Sequence, residues 1–269
     1  MLYDSKLEKD NCGFGLIAQV NNQASHRLIR TAITGLDRMQ HRGGISADGK
    51  TGDGCGLLLQ KPDSFFRAIA AENNWHLGKN YAVGMVFLNA DPVLAQAAKD
   101  VLSEELEKET LNILGWRVVP TDPSMLGPIA LKQLPGFEQI FISAPEGWRS
   151  KDLERRLYVA RRRAEKRLMD DESFYIASLS GLVTIYKGLM MPADLPNFYL
   201  DLADIRMTSA ICVFHQRFST NTQPRWPLAQ PFRYLAHNGE INTIEGNRQW
   251  ARARSYKFAS PLIPDLQSA

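Results

Sequence analysis

Cysteine is scarce and unpaired in this sequence: Cys12, Cys55 and Cys212 are the only three in 269 residues, and no two stand at CxxC spacing. Such a set builds neither a disulfide framework nor a zinc ribbon. It suits a reducing compartment, where one thiol can stay free for chemistry. An excess of one charge is also lacking. The 32 Lys and Arg face 29 Asp and Glu, and a net +3 on this length is too small to imply a nucleic-acid partner. Nothing approaches the roughly 20 consecutive apolar residues a membrane span needs. The first 11 residues, MLYDSKLEKDN, carry five charges and no apolar stretch, so they are no secretory signal. The five histidines (26, 41, 76, 215 and 237) show no ligand spacing. The expectation is a soluble, cytoplasmic protein without metal, membrane or nucleic-acid partner.

Internal repeats, heptads, low-complexity tracts and long Ser/Gly/Pro linkers are absent as well. What is present is a 44% apolar chain, long enough to bury a sizeable core. Apolar alternation and short apolar runs predict strands at 12–20, 55–60, 81–89, 113–119, 139–143, 174–179, 182–186, 210–214 and 233–236. Ser25 can cap a helix running to about Gln40, whose Leu28, Ile29, Ala32, Ile33, Leu36 and Met39 share one face. Further helices are predicted at 62–73, 92–109 and 151–168. HRGGISADGKTGDG reads as a loop, and 174–179 and 182–186 read as two strands joined by a tight turn, with Gly181 between them. Consecutive strands without an intervening helix favour an α+β fold over a uniform parallel array.

Two motifs fail on inspection. GISADGKT (44–51) matches the phosphate-loop pattern, yet it lacks the preceding strand and following helix that would aim N–H groups at a phosphate. KDLERRLYVARRRAEKRL carries eight Lys/Arg against three Asp/Glu, but no aromatic-rich strand accompanies it, so a solvated helical face is the better reading.

One constellation survives: NCGFG at 11–15, HRGG at 41–44, HQRFSTN at 215–221 and HNGEIN at 237–242. Cys12 is the most nucleophilic type of side chain at neutral pH once a base is near. Arg217 and Arg42 can receive a carboxylate. Asn238 offers an amide donor and Gly239 an unobstructed N–H, the parts of an oxyanion hole. Taken singly, each has a plainer reading: a core thiol, solvated arginines, and an Asn-Gly hairpin turn.

Together with the long stretches RMQHRGGISADGKTGDGCGLLLQKPDSFF and ICVFHQRFSTNTQPRWPLAQPFRYLAHNGEINTIEGN, these segments resemble the class II (N-terminal-nucleophile) glutamine amidotransferases. The similarity is strongest to the glutaminase domain of glutamate synthase large subunits. The resemblance implies an N-terminal-nucleophile hydrolase fold: a four-layer α/β/β/α sandwich of two antiparallel sheets, incomplete at its C-terminal end. It implies a propeptide at 1–11, removed after Asn11, and an amidotransferase domain from 12 to 269. Cys12 would be the nucleophile, Asn238 and Gly239 the oxyanion hole, and Arg217 the holder of the glutamine carboxylate. Arg42 would order the nucleophile's surroundings and Trp226 would belong to the segment closing over glutamine. His41 and His215 would brace the loops.

The implied reaction runs through a glutamyl thioester to glutamate and ammonia, the ammonia serving a synthase domain that aminates 2-oxoglutarate. No cofactor is expected in this chain. The resemblance puts FMN and a 3Fe-4S cluster elsewhere in the large subunit, and FAD, a 4Fe-4S cluster and NADPH on a small-subunit partner. An acidic residue for the glutamine α-amine, in a Ser-Asp-Ser-type motif, is expected beyond Ala269. Two alternatives remain at this stage: a glutaminase domain serving another acceptor, and a non-catalytic remnant used for protein contacts.

Overall fold

A computed structural model describes residues 13–217, 223–232 and 245–255. Cys12, Asn238, Gly239, residues 1–11 and the predicted strand 233–236 lie outside the described residues. In chain order the elements are β1 Phe14–Ala18, α1 His26–Asp37, β2 Cys55–Gln60, α2 Asp63–Glu72, β3 Tyr81–Leu88, α3 Pro92–Lys108, β4 Asn112–Val118, α4 Pro128–Lys132, β5 Gly136–Ser143, α5 Ser150–Arg167, β6 Tyr175–Ser180, β7 Val183–Gly188, α6 Leu195–Phe198 and β8 Ile211–Gln216. Residues 234–269 form a separate unit, in which α7 spans Glu245–Ala253.

The strands make two four-stranded sheets, ordered β1-β8-β2-β7 and β4-β5-β3-β6, and every pairing is antiparallel. This is the α+β arrangement expected from the sequence. Strand alternation divides the apolar side chains between two cores. One gathers Leu57, Leu59 and Cys212 from the first sheet and Val83, Met85, Phe87 and Phe141 from the second, with Leu28, Ile29, Ala32 and Leu36 of α1 and Phe65, Phe66 and Ile69 of α2. The other takes Ala82, Val86, Ile140 and Ile142 from the opposite face of the second sheet. It closes them under Ala98, Leu102 and Leu106 of α3 and Leu153, Leu157, Ala160 and Ala164 of α5.

β6 and β7 are consecutive but do not pair: β6 lies beside β3 at the edge of one sheet and β7 beside β2 at the edge of the other. Gly181 is therefore a corner between sheets. The Glu154 carboxylate on α5 holds it, accepting from the N–H of Gly181 at 2.6 Å, and Ser180 Oγ accepts from the N–H of Leu182 at 2.9 Å. The short helices α4 and α6 were missed because five and four residues are too few to show a helical period.

Candidate active site

The C-terminal end of β8 organises the site. At 2.6 Å the N–H of Gln216 donates to the carbonyl of Gly13, the residue covalently next to Cys12. The N–H of Arg217 donates to the carbonyl of Gly54 at 2.8 Å. Three stretches far apart in sequence, GFG (13–15), GDGCG and HQR, thus meet at one end of a sheet. Gly54 has a φ of +117°, which L side chains rarely adopt, so the glycine is required where the loop enters β2.

The HRGG stretch reaches the same place. Asp53 N–H donates to the carbonyl of Gly44 at 3.1 Å, and an antiparallel bridge between Ile45 and Gly52 closes the loop beyond it. A side chain at Gly43 would put its Cβ 1.8 Å from Nε2 of Gln216 and 3.1 Å from Oδ1 of Asp53. Only glycine fits between those groups. The tip of the loop is stapled by Asp48, whose carboxylate accepts from the Thr51 hydroxyl at 2.6 Å and from the N–H groups of Thr51 and Ile129 at 2.8 and 3.0 Å. The Thr51 hydroxyl, followed by these backbone donors, holds the Asp48 carboxyl far below its ordinary value. The DGKT residues thus brace one another and α4, and a strand rather than a helix follows them. That is no phosphate cradle.

Arg217 has a φ of +87°, uncommon for a residue with a side chain. Its side chain is 44% exposed, with Nε 3.8 Å from Oδ2 of the buried Asp53. Burial pushes the Asp53 carboxyl above its ordinary value, while the Gly44 backbone and the Arg217 charge pull the other way. Beside it, the Gln216 side chain is fully buried, and its amide has no hydrogen-bond partner among the described residues. His215 is half-buried, and burial lowers the pKa of its imidazole, so the neutral ring is favoured.

Arg42 is half-buried at the end of a 3-10 turn, Gln40–Arg42, with its N–H on the carbonyl of Met39 at 2.8 Å. It directly precedes Gly43, which brings its backbone to the cluster. His41 is exposed in the same turn. Trp226 has a different placement. Its indole is 2% exposed, packs on Phe137 and Phe198, and donates to the carbonyl of Ala130 at 3.1 Å. The ring anchors the Pro-rich segment in the core. Cys55 and Cys212 are buried; desolvation raises the Cys55 thiol strongly and pushes Cys212 up to about 12, so neither forms a thiolate readily.

Sequence reading missed Asp53 and Gln216. The signal was there: both are polar residues inside stretches already singled out, GDGCG and HQRF. Their spatial meeting across Gly43 is what a linear pattern hides.

The family model described as "Glutamine amidotransferases class-II" matches residues 12–269. The chain is 40% identical over 270 residues to the chloroplastic ferredoxin-dependent glutamate synthase of Spinacia oleracea, covering 97% of this chain and 16% of that protein. It is 41% identical over 261 residues to the NADPH glutamate synthase large chain of Bacillus subtilis, covering 96% of this chain and 17% of that one. For the corresponding chain of Azospirillum brasilense the figures are 40%, 97% and 18%. The chain thus spans less than one-fifth of the length of these relatives. With the family pattern running through nearly all of its sequence, it belongs to the class II glutamine amidotransferases.

Proposed function

We propose that the chain hydrolyses the side-chain amide of L-glutamine, with Cys12 as nucleophile and, once residues 1–11 are removed, as its own base. Before cleavage the nitrogen of Cys12 belongs to an amide and cannot take a proton. Afterwards it is an α-amine with an ordinary pKa of about 7.7–8.0, suited to accept the thiol proton near neutral pH. The thiolate attacks the amide carbon, and the oxyanion formed is held by the Asn238 side chain and the Gly239 N–H. The α-ammonium returns the proton as the carbon–nitrogen bond breaks, so ammonia leaves and a glutamyl thioester remains. Water then releases glutamate.

Arg217 receives the substrate carboxylate, Arg42 orders the surroundings of Cys12, and the segment anchored by Trp226 closes over glutamine. The observation that carries this reading is the 2.6 Å bond from Gln216 N–H to Gly13 carbonyl, which brings the backbone of Arg217 beside the residue after Cys12. A family match that begins at Cys12 supports the proposed maturation point.

In a longer parent protein the ammonia would pass to a synthase domain that aminates 2-oxoglutarate. The relatives are named as glutamate synthases with ferredoxin or NADPH as reductant, which favours this acceptor over those of other amidotransferases. The flavin and iron–sulfur groups would sit in that domain and in a small subunit. A reducing cytoplasm suits the free thiol. The test is glutamate release from glutamine by protein starting at Cys12, with Cys12→Ser as control. Turnover that disappears in the serine variant supports the reading; equal turnover in both overturns it.

A further inference from the structure

The buried carboxylate of Asp53 has no part in the chemistry just described, yet it lies against two of its elements. We propose that Asp53 is a positioning residue for substrate binding: it orients the guanidinium of Arg217 that receives the glutamine carboxylate. The inference rests on the amidotransferase reading and adds a residue to it.

Three observations converge. Oδ2 of Asp53 is 3.8 Å from Nε of Arg217, the guanidinium edge opposite the one a bidentate carboxylate can use through its terminal nitrogens. Arg217 holds a left-handed backbone with its N–H on Gly54, the residue that follows Asp53. Backbone and side chain of the arginine are therefore both tied to the Asp53–Gly54 dipeptide. The third is the cost of the arrangement. Asp53 is 8% exposed, Oδ1 finds no partner among the described residues, and burial disfavours its charged form. A carboxylate kept where it opposes stability has a role other than stability. Gly43 lies close to that oxygen as well: Oδ1 of Asp53 and Nε2 of Gln216 are both within 3.1 Å of the Cβ position a residue at 43 would have, so a side chain there would displace one of them.

The experiment is a double-mutant cycle on glutamine hydrolysis by the processed protein, comparing wild type, Asp53→Asn, Arg217→Ala and the pair. Asp53→Asn keeps the shape and removes the charge, so the glutamine KM should rise about 5- to 10-fold, less than for a fully buried ion pair, with kcat changed less than about twofold. In the Arg217→Ala background the same change should shift KM by less than about twofold, because its target is gone. Its thermal midpoint at pH 7 should equal or exceed that of wild type. Effects on KM that add across the cycle, or a loss of kcat together with a lower midpoint, mean that Asp53 merely supports the loop and overturn the proposal. An Arg217→Ala variant with wild-type KM would instead remove Arg217 from the substrate site. That outcome strikes the reading of the clamp itself, and the inference falls with it.

Discussion

Arg217 sits in left-handed backbone, at a cost of order 1–3 kcal/mol that the surrounding structure must offset. Its N–H on Gly54 and its side chain beside Asp53 provide that support. Asn238 presents the opposite problem, because Asn-Gly has a plain reading as a turn. Asn238→Asp separates the two. A turn accepts Asp with little change in stability or kcat. An oxyanion donor does not, and the expected loss in kcat is about 10²–10³, with a smaller change in KM and an unchanged thermal midpoint.

A residue-scale test of the fold comes from Lys61. Its side chain is 15% exposed, and its ammonium lies 3.9 Å from Asp63 and 3.5 Å from the centre of the Tyr81 ring. Desolvation lowers its pKa from 10.5 to about 8, with Asp63 pulling it back up. Between about pH 8 and 10.5 the unfolded chain then holds more protons at this site than the folded one. The contribution of Lys61 to stability must therefore rise with pH across that window. Relative to Lys61→Met, the wild-type protein should gain stability from pH 8 to 9.5 in urea titrations; a parallel pH profile would contradict the assignment.

At the level of elements, local chemistry made much of the fold legible. α3 begins where Asp91-Pro92 says it should: the Asp91 side chain accepts from the N–H of Val93, and Pro92 occupies the first turn. The apolar run CGLLLQ is β2 as expected. What sequence could not show was which strands pair. β6 and β7 are both buried along nearly their whole length, and their pattern is the same whether they form a hairpin or turn a corner between sheets. Nor did it reveal the polar network that ties the sheets together. Arg117 on β4 makes a bidentate pair with Asp201 at 2.6 and 2.8 Å, and Asp201 also accepts from the hydroxyl of Tyr186 on β7 at 2.9 Å. Arg117 further donates to Gln139 on β5 at 2.8 Å. Its members are spread over 85 positions, from 117 to 201, and carry no motif. Asp201→Ala would leave a nearly buried guanidinium and a phenol without their acceptor. The expected cost is about 3–5 kcal/mol, read as a lower urea midpoint with the far-ultraviolet spectrum of the folded state retained. A loss under 1 kcal/mol would mean that the pair contributes little beyond its own desolvation.

Across the whole molecule, the family pattern runs from residue 12 to 269 while the chain covers only 16 to 18% of the three glutamate synthases compared. Both sheets and Arg217 belong to residues 1–233, whereas Asn238 and Gly239 belong to 234–269. Cys12 leads into β1, and the two thiols within the described sheets are buried and hard to ionise. The proposed chemistry therefore rests on a single residue, Cys12, as nucleophile and, with residues 1–11 removed, as its own base. The most direct measurement compares glutamine turnover by two preparations of the same chain. One has its N-terminus at Cys12, verified by intact mass, and the other has residues 1–11 locked in place by a substitution that blocks cleavage. Steady glutamate release is expected from the first and background from the second, although both carry the same thiol. Equal turnover by the two would contradict it.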